Sequence, residues 1–297
     1  MELSVTREIA DGARIAPDAR IGCFCVIGPH VLIGPGTVLG RRVTIIGNTH
    51  VGADNVIDDG CVLGAVPQDL KFRGHDTWLL IGDRNRLGPN VTAHVGTEAG
   101  GSCTRIGSDN VLAVGAHVAH DCYVDDAAYL GPAVLLAGHV RVEDGAVIED
   151  GTGCHHFTTV GRFSRVGART PIRRDVPPFT HFSSLGYYTR PPAVLGVHEE
   201  GLARAGLSEP ECDDLRRTIA HLFDDEQALA VKVDQLLARS DLSAASRALC
   251  VFCRRTASGK FGRHREVFRG RMPPEAAECL PAEALVKIAR GKGANQP

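Results

Sequence analysis

Aliphatic residues recur at every sixth position along most of the chain. The step runs unbroken through Ile9, Ile15, Ile21, Ile27, Ile33, Leu39, Ile45, Val51, Ile57 and Leu63. It resumes at Ile81, Leu87 and Ala93. It runs again from Ile106 through Leu112, Val118, Val124, Leu130, Leu136, Val142, Ile148, Cys154, Val160 and Val166 to Ile172. A helix repeats its apolar face about every 3.6 residues and a half-buried strand every second residue, so neither produces a period of six. A hexapeptide β-helix does: each unit forms one short flat face, and three faces close a coil of about 18 residues. The aliphatic side chain at each step points to the axis and stacks on its equivalents in adjacent coils, about 4.8 Å away. Glycine often follows, as in Ile21-Gly22, Ile27-Gly28, Ile33-Gly34 and Val51-Gly52, where it is expected to permit the unusual backbone of a corner.

Two stretches break the count, at about 65–80 and 94–105. A solenoid accommodates such insertions as loops thrown outward from a corner, and long excursions from a rigid scaffold tend to carry function. After Ile172 the step fails. Asp175-Val176-Pro177-Pro178 is read as the close of the solenoid and Pro191-Pro192 as a linker. The pattern then turns helical: a short helix over 198–205 ended by Gly206, a helix N-capped by Ser208 and running through Leu222, and helices over 228–237 and 242–253. The predicted organisation is thus a mainly β domain, a parallel β-helix over 1–188, followed by an α-helical domain over 189–297 that covers the last coil. The chain beyond Gly259 has no assignable pattern.

Composition narrows the class. Apolar residues make up 43% and aromatics only 5%, with 34 glycines, which suits aliphatic stacking and tight turns. A net charge of −2 points away from nucleic acid, and no apolar run is long enough for a membrane span. The start, Met1-Glu2-Leu3-Ser4-Val5-Thr6-Arg7, has no apolar export segment, and the ten cysteines lack framework spacing, so reduced thiols in a cytoplasmic protein are expected. Cys250 and Cys253 are read as packing residues within an apolar helical run.

The candidate chemistry lies in Ala116-His117-Val118-Ala119-His120-Asp121-Cys122. Residues one coil apart occupy equivalent positions, so Asp121 stacks under His139, and His120 lies on one line with Gly138 and His156. With His155 beside them these residues crowd one edge of the solenoid; His117 and His94 lie close by. Two readings compete. In one, His120 is a general base, Asp121 orients its ring, and the bare Gly138 amide steadies an oxyanion. In the other, some of the histidines ligate zinc or a similar metal, as in trimeric β-helix carbonic anhydrases.

The order of several further segments is more specific. They are Gln68-Asp69-Leu70-Lys71, Ile81-Gly82-Asp83-Arg84-Asn85-Arg86, Val91-Thr92-Ala93-His94-Val95-Gly96-Thr97, Gly107-Ser108-Asp109-Asn110, Leu136-Ala137-Gly138-His139-Val140 and Gly201-Leu202. Together with the histidine segment they resemble the UDP-N-acetylglucosamine O-acyltransferases of lipid A biosynthesis over about 5–207. The resemblance implies a left-handed coil and a cytoplasmic homotrimer with sites between subunits. It also implies transfer of a 3-hydroxyacyl chain from acyl carrier protein to the sugar 3-hydroxyl of a UDP-sugar, with no cofactor and no metal. It makes His120 the base, Asp121 its partner and Gly138 the oxyanion donor. Gln68, Asp69, Lys71, His117, His139 and His155 would hold the sugar nucleotide, and Glu200 and Arg204 its nucleotide end.

The chain departs from that family pattern in places. His198 stands where asparagine is usual, Ala205 where a second arginine is usual, and His156 where glutamine is common; the stretch 180–195 is altered. Gly167-Ala168 replaces a glycine pair that helps set acyl length, so the added methyl is expected to shorten or narrow the groove. Arg162, Arg165, Arg169, Arg173 and Arg174 are the expected contacts for the acidic carrier. The sequence does not separate a hydroxyl from an amine acceptor.

Overall fold

Every member of the six-step from Ile27 to Ile172 is at most 4% exposed. The computed structural model describes residues 6–184, 191–224 and 227–279. Most strands are two residues long, such as Thr44–Ile45, with the outward residue first and the axial aliphatic second. Neighbours within a sheet are every third strand in chain order, so three strands make one coil of a left-handed parallel β-helix. Sheet A runs from Glu8–Ile9 to Gly153–Cys154 and sheet B from Arg14–Ile15 to Thr159–Val160. Sheet C runs from Arg20–Ile21 through Arg165–Val166 to Thr180–Ser183 and Ala193–Val197. Ile9 is 45% exposed because its coil ends the stack.

The glycines that follow the aliphatic step have a different role from the one expected. Gly22, Gly28, Gly34 and Gly52 are not among the residues with positive φ. A Cβ at Gly22 would lie 2.0 Å from the Gly40 carbonyl oxygen, and one at Gly34 would lie 2.6 Å from Gly52 backbone. These glycines let successive coils approach closely; the left-handed corner backbone falls elsewhere, often on residues with side chains, including Asp121, His139 and Phe157.

Both insertions leave the corner between sheets A and B, and both are shorter than expected. The first occupies residues 66–77 between Val62–Ala65 and Trp78–Ile81, and the second 95–102 between Thr92–His94 and Cys103–Ile106. Register survives them. The Asn85 N–H donates to Asn55 Oδ1, the Asn110 N–H to Asn85 Oδ1, and the Ala128 N–H to Asn110 Oδ1, in steps of 30, 25 and 18 positions. This ladder of fully buried amides satisfies corner backbone that would otherwise be stranded.

The expected boundary at 188 falls outside the described residues. Sheet C continues past Pro177-Pro178: Thr180–Ser183 adds in parallel, and Ala193–Val197 pairs with it antiparallel. Helices follow as α1 (Glu199–Arg204), α2 (Glu209–Leu222), α3 (Leu229–Leu237) and α4 (Ala244–Ser258). Ser208 and Glu211 form the capping box that starts α2. Their inner faces make a second core with Phe179, Leu215, Ile219, Leu249, Cys250 and Cys253, which confirms packing as the role of the two cysteines.

The segment without an assignable pattern is a strap. Residues 259–279 leave α4, turn through a 3-10 segment (His264–Phe268) and end in α5 (Pro274–Cys279). Arg265, 2% exposed, lies over the Tyr123 ring of sheet B and donates to the His139 carbonyl at 3.3 Å. Glu275 accepts from both Arg265 and Arg141. At the other end, Asp175 takes hydrogen bonds from the backbone and side chain of His264 and from Thr256.

Candidate active site

One corner collects the chemistry. The chain passes from His117–Val118 of sheet A to Tyr123–Val124 of sheet B through residues 119–122, at the corner where the two insertions leave earlier coils. Asp121 sits there with φ 60°, a left-handed conformation that aspartate tolerates better than most residues. Its carboxylate lies against the second loop, and the residue is fully buried. His120 Nδ1 lies 2.7 Å from Asp121 Oδ2. The carboxylate accepts, so Nδ1 carries the proton and Nε2 is left as the basic nitrogen.

Nε2 faces Gly138 on the next coil. A Cβ at Gly138 would lie 2.5 Å from His120 Cε1 and 2.7 Å from Nε2, so only glycine fits. The Gly138 N–H makes no hydrogen bond among the described residues. A base and an unspent amide donor therefore stand side by side. His139 meets His120 edge-on at 5.2 Å and stacks flat on Phe157 at 4.2 Å. Burial pushes the His139 pKa down to about 4, although the Asp121 charge opposes it. His94 is also held at about 4 by burial, with His117 and His120 adding to the effect. His117 is lowered by burial and then by His120; its Nδ1 shares a 2.7 Å hydrogen bond with Thr92 Oγ1. His155 and His156 lie ring to ring at 3.8 Å one coil further on. Of this ridge, His94 and His139 in particular are built to stay neutral.

The remaining expected residues lie elsewhere on the chain. Gln68 and Lys71 are exposed on the first loop, and Asp69 Oδ1 accepts from the Lys71 N–H at 2.9 Å. Glu200 and Arg204 line a cleft of about 580 Å³ on the face of sheet C, with Tyr129, Arg165 and His198. Arg204 donates there to the Gly145 and Ala127 carbonyls. His198 occupies the N-cap position of α1 and bonds the Phe163 carbonyl through Nδ1, leaving a buried Nε2 with no hydrogen-bond partner among the described residues. A Cβ at Gly167 would strike Ser183, whereas Ala168 is exposed and donates its N–H to Glu149. A larger cavity, about 1080 Å³, lies between the last coils and the helices, and His155 alone of the ridge lines it. Hydrogen-bond geometry rather than cavity size singles out the His120 corner as the candidate centre.

Sequence reasoning missed three groups. Thr97 on the second loop and Thr104 on the coil below bond Asp121, and the strap covers sheet B beside the ridge. His120, Asp121 and His139 also bring ligand atoms within 4.8 Å of one another, close enough for a metal. Asp121 Oδ2, however, already accepts from His120 Nδ1 and the Thr97 hydroxyl, the arrangement of an oriented base.

Residues 8–41 match the family described as bacterial transferase hexapeptide (six repeats). The acyl-[acyl-carrier-protein]–UDP-N-acetylglucosamine O-acyltransferase of Synechocystis is 36% identical over 194 residues, 65% of this chain and 68% of that protein. The same-named protein of Gloeothece citriformis is 37% identical over an equal length. LpxA of Acinetobacter baumannii superposes with a TM-score of 0.76 at 33% identity, over 84% of this chain and 94% of that one. The Francisella novicida UDP-N-acetylglucosamine acyltransferase gives a TM-score of 0.80 at 26% identity, over 96% and 98%. The chain belongs to the acyl-[acyl-carrier-protein]–UDP-N-acetylglucosamine O-acyltransferase family.

Proposed function

We propose that this enzyme moves a 3-hydroxyacyl chain from acyl carrier protein to the 3-hydroxyl of UDP-N-acetylglucosamine, the entry reaction of lipid A biosynthesis. The observation that carries the reading is the 2.7 Å bond from His120 Nδ1 to Asp121, with Nε2 turned to Gly138. Nε2 takes the proton of the sugar hydroxyl as its oxygen attacks the thioester carbonyl. The Gly138 N–H donates to the oxyanion that forms. Collapse breaks the C–S bond, and the imidazolium returns the proton to the departing thiolate. The reaction draws on the thioester for driving force, so the protein supplies positioning and charge stabilisation.

A homotrimer completes the site in this reading. His117, His120, His139 and His155 lie at the corner of sheets A and B, while Glu200 and Arg204 of α1 lie over the face of sheet C, so one substrate reaches both only across a subunit boundary. Leu70 is 97% exposed on the first loop, beside Gln68, Asp69 and Lys71, as suits a loop that reaches a neighbouring copy. The carrier meets the late coils. Arg165 is bound to Glu149, which leaves Arg162, Arg169, Arg173 and Arg174 as the exposed cations there. No helix among the described residues is long and apolar enough to cross a membrane.

The test is acyl transfer from carrier-protein thioesters to UDP-N-acetylglucosamine and to its 3-amino analogue, with wild type and His120→Ala. Transfer to the hydroxyl that is lost in His120→Ala supports the reading. Transfer only to the amine, or full activity without His120, refutes it.

A further inference from the structure

The second loop has no part in the reaction above, yet it supplies most of what surrounds the buried carboxylate. The Thr97 N–H donates to Asp121 Oδ1 at 2.7 Å, and the Thr97 hydroxyl donates to Oδ2 at 2.6 Å. One residue thus grips both oxygens. The hydroxyl has its direction set from behind, because Thr97 caps the 3-10 turn Glu98–Gly100 and its oxygen accepts the Gly100 N–H at 3.2 Å. With that lone pair occupied, the hydroxyl proton is aimed at Asp121. The Ser102 N–H closes the loop on the Thr97 carbonyl at 2.7 Å.

The loop backbone also seals the site. A Cβ at Gly100 would stand 2.1 Å from Asp121 Cγ, so the turn lies directly against the carboxylate. From outside, α5 presses on the loop: a Cβ at Gly101 would stand 2.4 Å from Ala276 Cβ. Thr97 is 4% exposed and Asp121 is fully buried. Oδ2 accepts from both Thr97 and His120 Nδ1, so a carboxylate free to rotate would lose the bond that keeps the imidazole proton on Nδ1.

We propose that Thr97 is a positioning residue for the transfer, its N–H and hydroxyl locking Asp121 so that His120 keeps Nδ1 protonated and Nε2 open to substrate. The inference rests on the acyl-transfer reading for its effect on rate, and on hydrogen-bond geometry alone for its effect on His120.

Thr97→Val replaces the hydroxyl with a methyl and keeps the N–H; Thr97→Ala removes it without added bulk, and Thr97→Ser restores it. For each full-length variant kcat, KM and thermal unfolding are measured, together with the low-field proton resonance of the His120 Nδ1–H, assigned by its loss in His120→Ala. In Val and Ala variants that remain folded, kcat falls by about 10–100-fold with KM changed less than about threefold, and the resonance shifts or broadens. Thr97→Ser recovers both. Val and Ala variants with near wild-type kcat overturn the proposal, as does a loss that serine fails to rescue or an unchanged resonance. A wild type that transfers no acyl group would sink the reaction assigned above, while the resonance would still decide whether Thr97 sets the imidazole.

Discussion

Gly138→Ala probes the reactive corner most directly. The new methyl carbon would be placed 2.5 Å from His120 Cε1 and 2.7 Å from Nε2, about an ångström inside ordinary contact. The ring has little room to retreat. Its Nδ1 is tied to Asp121 at 2.7 Å, His139 stands edge-on at 5.2 Å, and the Asp121 carboxylate is itself held by Thr97. Relief requires either that the ring swing off its carboxylate or that the Gly138 backbone withdraw. The first misplaces the proposed base and the second moves the proposed oxyanion donor. Overpacking of this kind costs about 1–3 kcal/mol in stability. A displacement of about 1 Å at a reacting group costs on the order of 100-fold in rate. The expected result is a folded protein that melts a few degrees lower, with kcat reduced about 100–1000-fold and KM little changed, read by the carrier-protein thioester assay and thermal unfolding. A Gly138→Ala enzyme with kcat within about threefold of wild type would show that neither the ring nor the amide is placed as argued.

Other tests address separate parts of the structure. Asp121→Asn presents an amide N–H to His120 Nδ1 and forces the proton onto Nε2, so kcat should drop about 100–10,000-fold while the fold persists; an active variant would remove the carboxylate from the mechanism. Acid should destabilise the protein. His94 and His139 have folded pKa values near 4 against 6.5 for the free side chain, so below 6.5 the unfolded chain binds more protons and stability falls as pH drops toward 4. Urea unfolding should show this as a loss on the order of a few kcal/mol across that window, smaller in a His94→Phe/His139→Phe double variant. Arg265→Met leaves Glu275 with Arg141 alone and uncovers Tyr123, so thermal unfolding should register a loss of about 2–4 kcal/mol. An unchanged melting temperature would mean that the strap is not held as described. Ala168→Gly should lengthen the preferred acyl chain, as read by mass spectrometry of products from a chain-length series; an unchanged preference would place the limit elsewhere.

Much of the scaffold was legible because a solenoid repeats locally. Counting by coils places Asp121 under His139, and His120 in line with Gly138 and His156, since each coil adds the same number of residues and parallel strands pair without slippage. The count fails where the chain leaves the repeat. Thr97 stands in plain view after His94-Val95-Gly96, but it lies inside an insertion, so no arithmetic of coils predicts that it faces Asp121. The glycines were visible too, yet their reason was not. Close approach between coils, rather than corner dihedrals, excludes a side chain at Gly22 and Gly34.

The strap shows the other limit. Residues 259–279 have no apolar period because they are held by single long-range bonds, from Arg265 to the His139 carbonyl and from Glu275 to Arg141. Sequence by itself determined the coil, its axial aliphatics, the helices from about 198 onward and the presence of an imidazole–carboxylate pair, all of which follow from regular spacing. Only the tertiary structure decided which groups surround that pair, because contacts between distant segments depend on where irregular loops come to rest in space, and periodicity carries no record of that.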